Sequence, residues 1–295
     1  MWLFIALSAY FLNAVAAVID KVLITKAIPK PRTYTLAISL LQIVALVLAP
    51  FGLKIIESEL LLLSFVIGGL SVFAFWTFFS ALKYNEASRV VPVVGGIQPV
   101  IIFFIAKIFL GEQLSVLQIA AIICLIAGGI LISYEKKKGK ASKKWLVLAI
   151  VSGTLFALYY SIGKYIFNNT DFINGFIWPR IGTFLAALII LYKKGYIKEL
   201  ITAPKQAGGK SSILFFTGQA SGAMFFVLVN YAIFLGSVTL VNALQGVQYV
   251  FVLILSILVV SIWPKALKEK IERKTLLIKV VAILLIFVGL FFLGV

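Results

Sequence analysis

The chain has 295 residues, of which 62% are apolar and only 13% charged, with a mean hydropathy of +1.12. A soluble domain carries about 45–50% apolar and about 25% charged residues, so lipid must be the solvent for most of this surface. Histidine is absent, Cys124 is the one thiol, and 27 Lys and Arg outnumber ten acids. That inventory excludes an internal disulfide and lacks the imidazole or thiolate clusters of zinc, haem and Ser–His–Asp chemistry. No cofactor or metal is expected, and no enzyme activity.

A membrane-crossing helix needs about 20 mostly apolar residues. In chain order that length predicts spans at 2–24, 34–53, 60–83, 87–110, 113–134, 144–167, 172–192, 212–235, 238–263 and 275–294. Met1 runs directly into apolar residues without a basic leader region, so the first span reads as a helix rather than a signal peptide. Pro29-Lys30-Pro31-Arg32 ends it, because prolines and charges neither extend a helix nor enter hydrocarbon. The run 135–143 divides the fifth span from the sixth, and 203–210 divides the seventh from the eighth. The eighth and ninth meet at Gly236 with almost no loop. The fold class expected is an all-α integral membrane protein with ten transmembrane helices.

The net charge of +17 is mostly topological. Of the 27 Lys and Arg, 23 fall in the odd-numbered connections. Basic residues in short loops stay cytoplasmic, so the odd loops are expected inside and both termini outside, in a multi-pass protein of the cell membrane. Dispersal over five short loops argues against nucleic acid as a partner. The partners expected are the bilayer and a small molecule, with the protein a monomer or homodimer.

Self-comparison reveals a repeat. At an offset of 150, Gly68, Ser71, Phe75, Gly96 and Gln98 recur as Gly218, Ser221, Phe225, Gly246 and Gln248. Glu112, Leu117 and Gly129 recur as Glu272, Leu277 and Gly289, and Leu12, Ala14, Ile19 and Lys21 as Leu155, Ala157, Ile162 and Lys164. The chain therefore divides into a five-helix unit at 1–134, a basic cytoplasmic linker at 135–143, and a second five-helix unit at 144–295. An odd helix number forces the copies to insert in opposite senses. Inverted repeats commonly hold a substrate near the midplane, where the halves meet.

The first copy carries Ala81-Leu82-Lys83-Tyr84-Asn85-Glu86-Ala87-Ser88, then Gln98-Pro99, Gly111-Glu112-Gln113-Leu114-Ser115 and Ala127-Gly128-Gly129. With these elements the chain resembles the EamA family of the drug/metabolite transporter superfamily. The resemblance implies ten helices in two inverted repeats and a central site lined by helices 1, 3, 4, 6, 8 and 9. The second copy is degenerate, since Tyr249 answers Pro99 and no Gly-Glu opens the tenth helix. Better-known members of that family keep both termini in the cytoplasm, the reverse of what the charge count predicts here.

Polar groups at membrane depth are costly and mark pathways, sites or interhelical bonds. Asn13 lies mid-helix, suited to a ligand or to a neighbouring helix. Gln98 and Gln248 are repeat equivalents that a pseudo-twofold axis would set on opposite walls of a cavity, with Asn242 and Gln245 nearby. Trp76 and Asn230 would shape its wall. Tyr160 and Lys164 share one helix face. Arg180 keeps its charge at any physiological pH, so it either snorkels to the surface after Pro179 or finds a carboxylate, carbonyls, water or an anionic substrate. Asp20 and Glu86 are the acids available for proton coupling. Glu112 reads as a helix-start cap, and Gly218 with Gly222 as a close helix contact.

The activity expected is secondary transport by alternating access of a small metabolite, amino acid-like or amphipathic. The rivals are a flippase for a lipid-linked substrate and a membrane-embedded transferase. The second would need an acidic cluster that the ten scattered acids do not form.

Overall fold

The computed structural model describes residues 1–26, 30–85, 87–132, 143–192, 195–200, 209–262 and 273–294. Among them there is no strand. The helices are α1 (Trp2–Lys26), α2 (Pro31–Leu41), a 3₁₀ stretch (Gln42–Phe51), α3 (Ser58–Tyr84), α4 (Ala87–Phe109), α5 (Val116–Ile132), α6 (Lys144–Asn169) and α7 (Phe172–Leu191). Then follow α8 (Gly209–Leu235), α9 (Val238–Ala243), α10 (Gln245–Ile262) and α11 (Arg273–Gly294). Among the described residues, eight stretches are long and apolar enough to cross a membrane, and Val116–Leu131 and Ile278–Leu293 are shorter apolar helices. Much of the Glu135–Lys143 linker lies outside the described residues.

Two expected spans are not single α-helices. The segment 34–53 starts earlier, because Pro31 at the first helical position supplies a pre-set φ and lacks only an N–H that a helix start leaves free. At Gln42 it tightens into a 3₁₀ stretch that contains Pro50 and ends at Gly52, whose φ of 127° closes the turn. The segment 238–263 is broken at Leu244, between α9 and α10.

Helix partners are set by where small residues let backbones approach. α3 lies along α6 and α7, α8 along α1, α4 along α6, α10 along α1, and α5 along α11. A Cβ on Gly68 would sit 2.5 Å from the backbone of Gly182 and Thr183, and one on Gly182 would sit 2.8 Å from the Phe65 Cα. Gly246 likewise presses on the Leu125 carbonyl, and Gly289 on Leu125 and Ala121. The expected contact at Gly218 and Gly222 is corrected at Gly222, where an added Cβ would meet open space.

The connections meet at two rims. Lys30 and Arg32, leading into α2, pair with Glu199 beyond α7 at 3.0 and 2.7 Å. Lys144, opening α6, lies over the Tyr84 ring that ends α3. At the other rim, Lys54 and Asp171 are 3.9 Å apart, Glu112 meets Ser237, and Trp2 packs at Gly236. Each of these contacts among the described residues joins odd connections with odd, or even with even and the N-terminus. Gly289 against Ala121 and Ala282 against Gly128 make α11 antiparallel to α5, which brings residue 294 to the same rim as Trp2.

Candidate functional site

The break at Leu244 organises the polar centre. α9 starts on the Ser237 side chain, which accepts the Leu240 N–H at 3.0 Å, and ends at Ala243. Helix ends leave carbonyls without intrahelical donors. In this last turn, the Val241 carbonyl accepts the Tyr10 hydroxyl from α1 at 3.0 Å. Tyr249, just past the break, donates to the Val91 carbonyl of α4 at 3.2 Å.

Four amides flank the break. The Gln98 Nε2 donates to the Asn242 Oδ1 at 2.6 Å, and the Asn13 Nδ2 donates to the Gln248 Oε1 at 2.9 Å. Each pair joins the first half of the chain to the second. Gln98, Asn242 and Gln248 are buried and Asn13 is half-buried. Gln98 and Gln248 are thus each tied to an amide of the opposite half. Gln245 packs on Gly95, where a Cβ would come within 3.0 Å of its Cδ.

Beside the amides, the Phe75 ring packs against Phe79, Phe156 and Phe226, joining α3, α6 and α8. Trp76 is half-buried on α3. Asn230 is buried and donates to the Phe226 carbonyl within its own helix, at 2.8 Å. A groove of about 410 Å³ lies between α1 and α10, lined by Leu7, Ser8, Phe11, Leu12 and Phe251.

Tyr160 and Lys164 share a face of α6 but serve different neighbours. The Lys164 Nζ donates to the Ile233 and Phe234 carbonyls at 2.8 and 3.4 Å, where a cation suits the C-terminus of α8. Tyr160 is buried with Tyr159, ring centroids 5.1 Å apart, beside Arg180. Arg180 itself is only 4% exposed. It does not snorkel: its Nη1 donates to the Phe176 carbonyl at 2.7 Å and its guanidinium lies 3.3 Å from the Phe176 ring centroid.

Glu112 departs from the expectation of a cap on its own helix. α5 is capped instead by a reciprocal pair, the Gln118 N–H on the Ser115 Oγ (3.2 Å) and the Ser115 N–H on the Gln118 Oε1 (3.0 Å). Gly111, at a φ of 67°, turns the chain so that Glu112 reaches the other half. Its carboxylate accepts the Val238 N–H (2.8 Å) and the Ser237 and Thr239 hydroxyls (3.0 and 2.6 Å), capping α9. The Ser-x-Thr after Gly236 was the available sign of that helix start. The Ser71–Thr183 hydroxyl pair, 2.9 Å apart between α3 and α7, had no such sign. Glu86 and the Asp20 side chain lie outside the described residues.

An all-helical bundle of apolar spans, with its polar groups gathered along a seam between two halves, is a multi-pass membrane protein. Residues 1–134, a little under half of the chain, match the model of the EamA-like transporter family, which is part of the drug/metabolite transporter superfamily. No curated protein matches the chain. One solved crystal structure of a protein is similar to it with a TM-score of 0.68 at 17% identity, over 97% of this chain and 93% of that one. At that identity the likeness is one of fold, and it extends across both halves.

Proposed function

We propose that the protein is a secondary transporter that moves a small metabolite, amino acid-like or amphipathic, by alternating access between two inverted five-helix repeats. The helix break at Leu244, bridged to the first half by the Gln98–Asn242 and Asn13–Gln248 pairs, carries this reading. Transporter sites commonly lie at repeat interfaces formed by discontinuous helices. Helix pairing supports the repeat: exchanging the first five spans for the second turns the α3–α6 pair into α8–α1 and α4–α6 into α10–α1, and leaves α5–α11 unchanged. The two shorter helices, α5 and α11, then complete ten crossings. Asn13, Trp76, Gln98, Tyr160, Lys164, Arg180, Asn230, Gln245 and Gln248 are the substrate-facing set of this reading, and Asp20 and Glu86 its coupling candidates. The basic rim is cytoplasmic and both termini lie outside, in the cell membrane.

The test is counterflow in proteoliposomes with labelled amino acids and amphipathic amines. Gln98→Ala and Gln248→Ala are expected to cut uptake at least about tenfold, the effect of about 1.4 kcal/mol, while gel-filtration profiles stay unchanged. Wild-type rates in both variants would remove the amides from the site. The groove between α1 and α10 favours a second reading, a flippase. Its apolar walls suit the chain of a lipid-linked substrate, and scrambling of such a lipid in the same vesicles would distinguish it.

A further inference from the structure

We infer that Arg180 is an anion-binding centre and that the substrate carries a single carboxylate there. This deepens the transport reading and rests on it. A guanidinium cannot discharge itself by losing a proton, and a charge at membrane depth costs at least about 2.5–3.5 kcal/mol unless it is matched. Among the described residues, the ion pairs involve Lys30, Arg32 and Lys54, and no carboxylate reaches Arg180. Its surroundings are one carbonyl and one ring from Phe176, and the phenols of Tyr159 and Tyr160. Carbonyl, ring and phenols are neutral. They soften the positive charge without cancelling it, so the described residues leave that charge for an anion to match.

The chemistry of that anion follows from what surrounds the charge. The guanidinium presents a planar fork of donors that matches a carboxylate bidentately, and the phenols add hydroxyl donors to the same oxygens. A dianionic phosphate would call for a second free cation, but Lys164 is committed to the Ile233 and Phe234 carbonyls. The groups beyond the Phe176 ring are apolar: it packs on Phe172, and Phe172 on Phe167 and Phe234. The ligand is a monocarboxylate with an apolar body.

Thermal melting of the full-length protein in neutral detergent tests this. The probes are acetate, isovalerate and phenylacetate, the amides and amines of the same skeletons, and chloride at equal ionic strength. At least one carboxylate is expected to raise the midpoint by about 3 °C over its amide and over chloride, and Arg180→Gln to erase that difference. The inference is overturned if no carboxylate exceeds its amide, if chloride does as much, or if the gap survives in Arg180→Gln. Where that variant gives no monodisperse protein, Arg180→Lys keeps the charge and loses the fork; a gap unchanged from wild type again overturns it. Uptake of neutral or cationic solutes without carboxylate selectivity would defeat this inference alone. Carboxylate binding without vesicle uptake would defeat the transport reading alone.

Discussion

Two of the seams that join the halves of this molecule are built on opposite principles. Along α3 and α7 the backbones touch: Gly68 and Gly182 leave no space for a methyl group, and the Ser71–Thr183 bond lies beside them. Along α1, α4, α9 and α10 the contact runs through the ends of amides and phenols, beside a groove open to the side. Packed backbone has one good arrangement, whereas a side-chain amide exchanges partners by rotating. The difference makes the α3–α7 contact the more constrained of the two and the amide contact the more adaptable.

The largest expected effect breaks the fixed seam. Gly68→Ala should cost about 3 kcal/mol, because all three nearest atoms are backbone and cannot step aside. Gly222→Ala, facing open space, should stay within about 0.5 kcal/mol. Reversible unfolding in mixed micelles measures both, and equal costs would erase the contrast between packed and open glycines.

Next comes the end of the polar seam. Glu112→Ala strips the cap from α9 and leaves a buried N–H and two hydroxyls short of an acceptor, an expected loss of about 2 kcal/mol by the same assay. A smaller effect belongs to the seam's interior. A double-mutant cycle on Gln98→Leu and Asn242→Leu should give a coupling of only about 0.6 kcal/mol, the usual worth of an interhelical side-chain bond in a membrane protein. A coupling of several kcal/mol would make this seam as rigid as the other.

The smallest effect lies at the basic rim. Lys30 and Arg32 hold the Glu199 carboxyl down to about 2, chiefly through the Arg32 hydrogen bond. A depressed carboxylate stabilises the fold above the ordinary glutamate range and loses that contribution as pH falls toward 2. A slight melting difference between wild type and Glu199→Gln should therefore be present at pH 7, shrink through pH 4 to 2, and fade in high salt. A difference that grows on acidification would contradict the pairing.

The spans were legible because hydrophobic length is a local property: α3, α4, α6 and α7 begin and end within two residues of the positions composition predicts. The departures are tertiary. Nothing at Leu244 announces a break, since Val238 to Leu255 is unbroken by proline, and the stop becomes comprehensible only beside Tyr10 and Gln98. Glu112 could be recognised as a cap, but not as a cap for a helix over 120 residues away. For Arg180 the sequence narrowed the options and burial removed one of them. The amides were legible as polar groups at depth, while their pairing across the halves required the fold.

The fourth and ninth spans are also interrupted by different chemistry. In α4, Pro92 and Pro99 interrupt the ladder permanently, because a ring stands where a donor should be. Across the break at Leu244, every residue from Val238 to Ile262 retains its N–H. That interruption is a matter of conformation alone. It can zip into continuous helix and reopen without any covalent obstacle, so one span keeps a permanent elbow while the other is free to straighten.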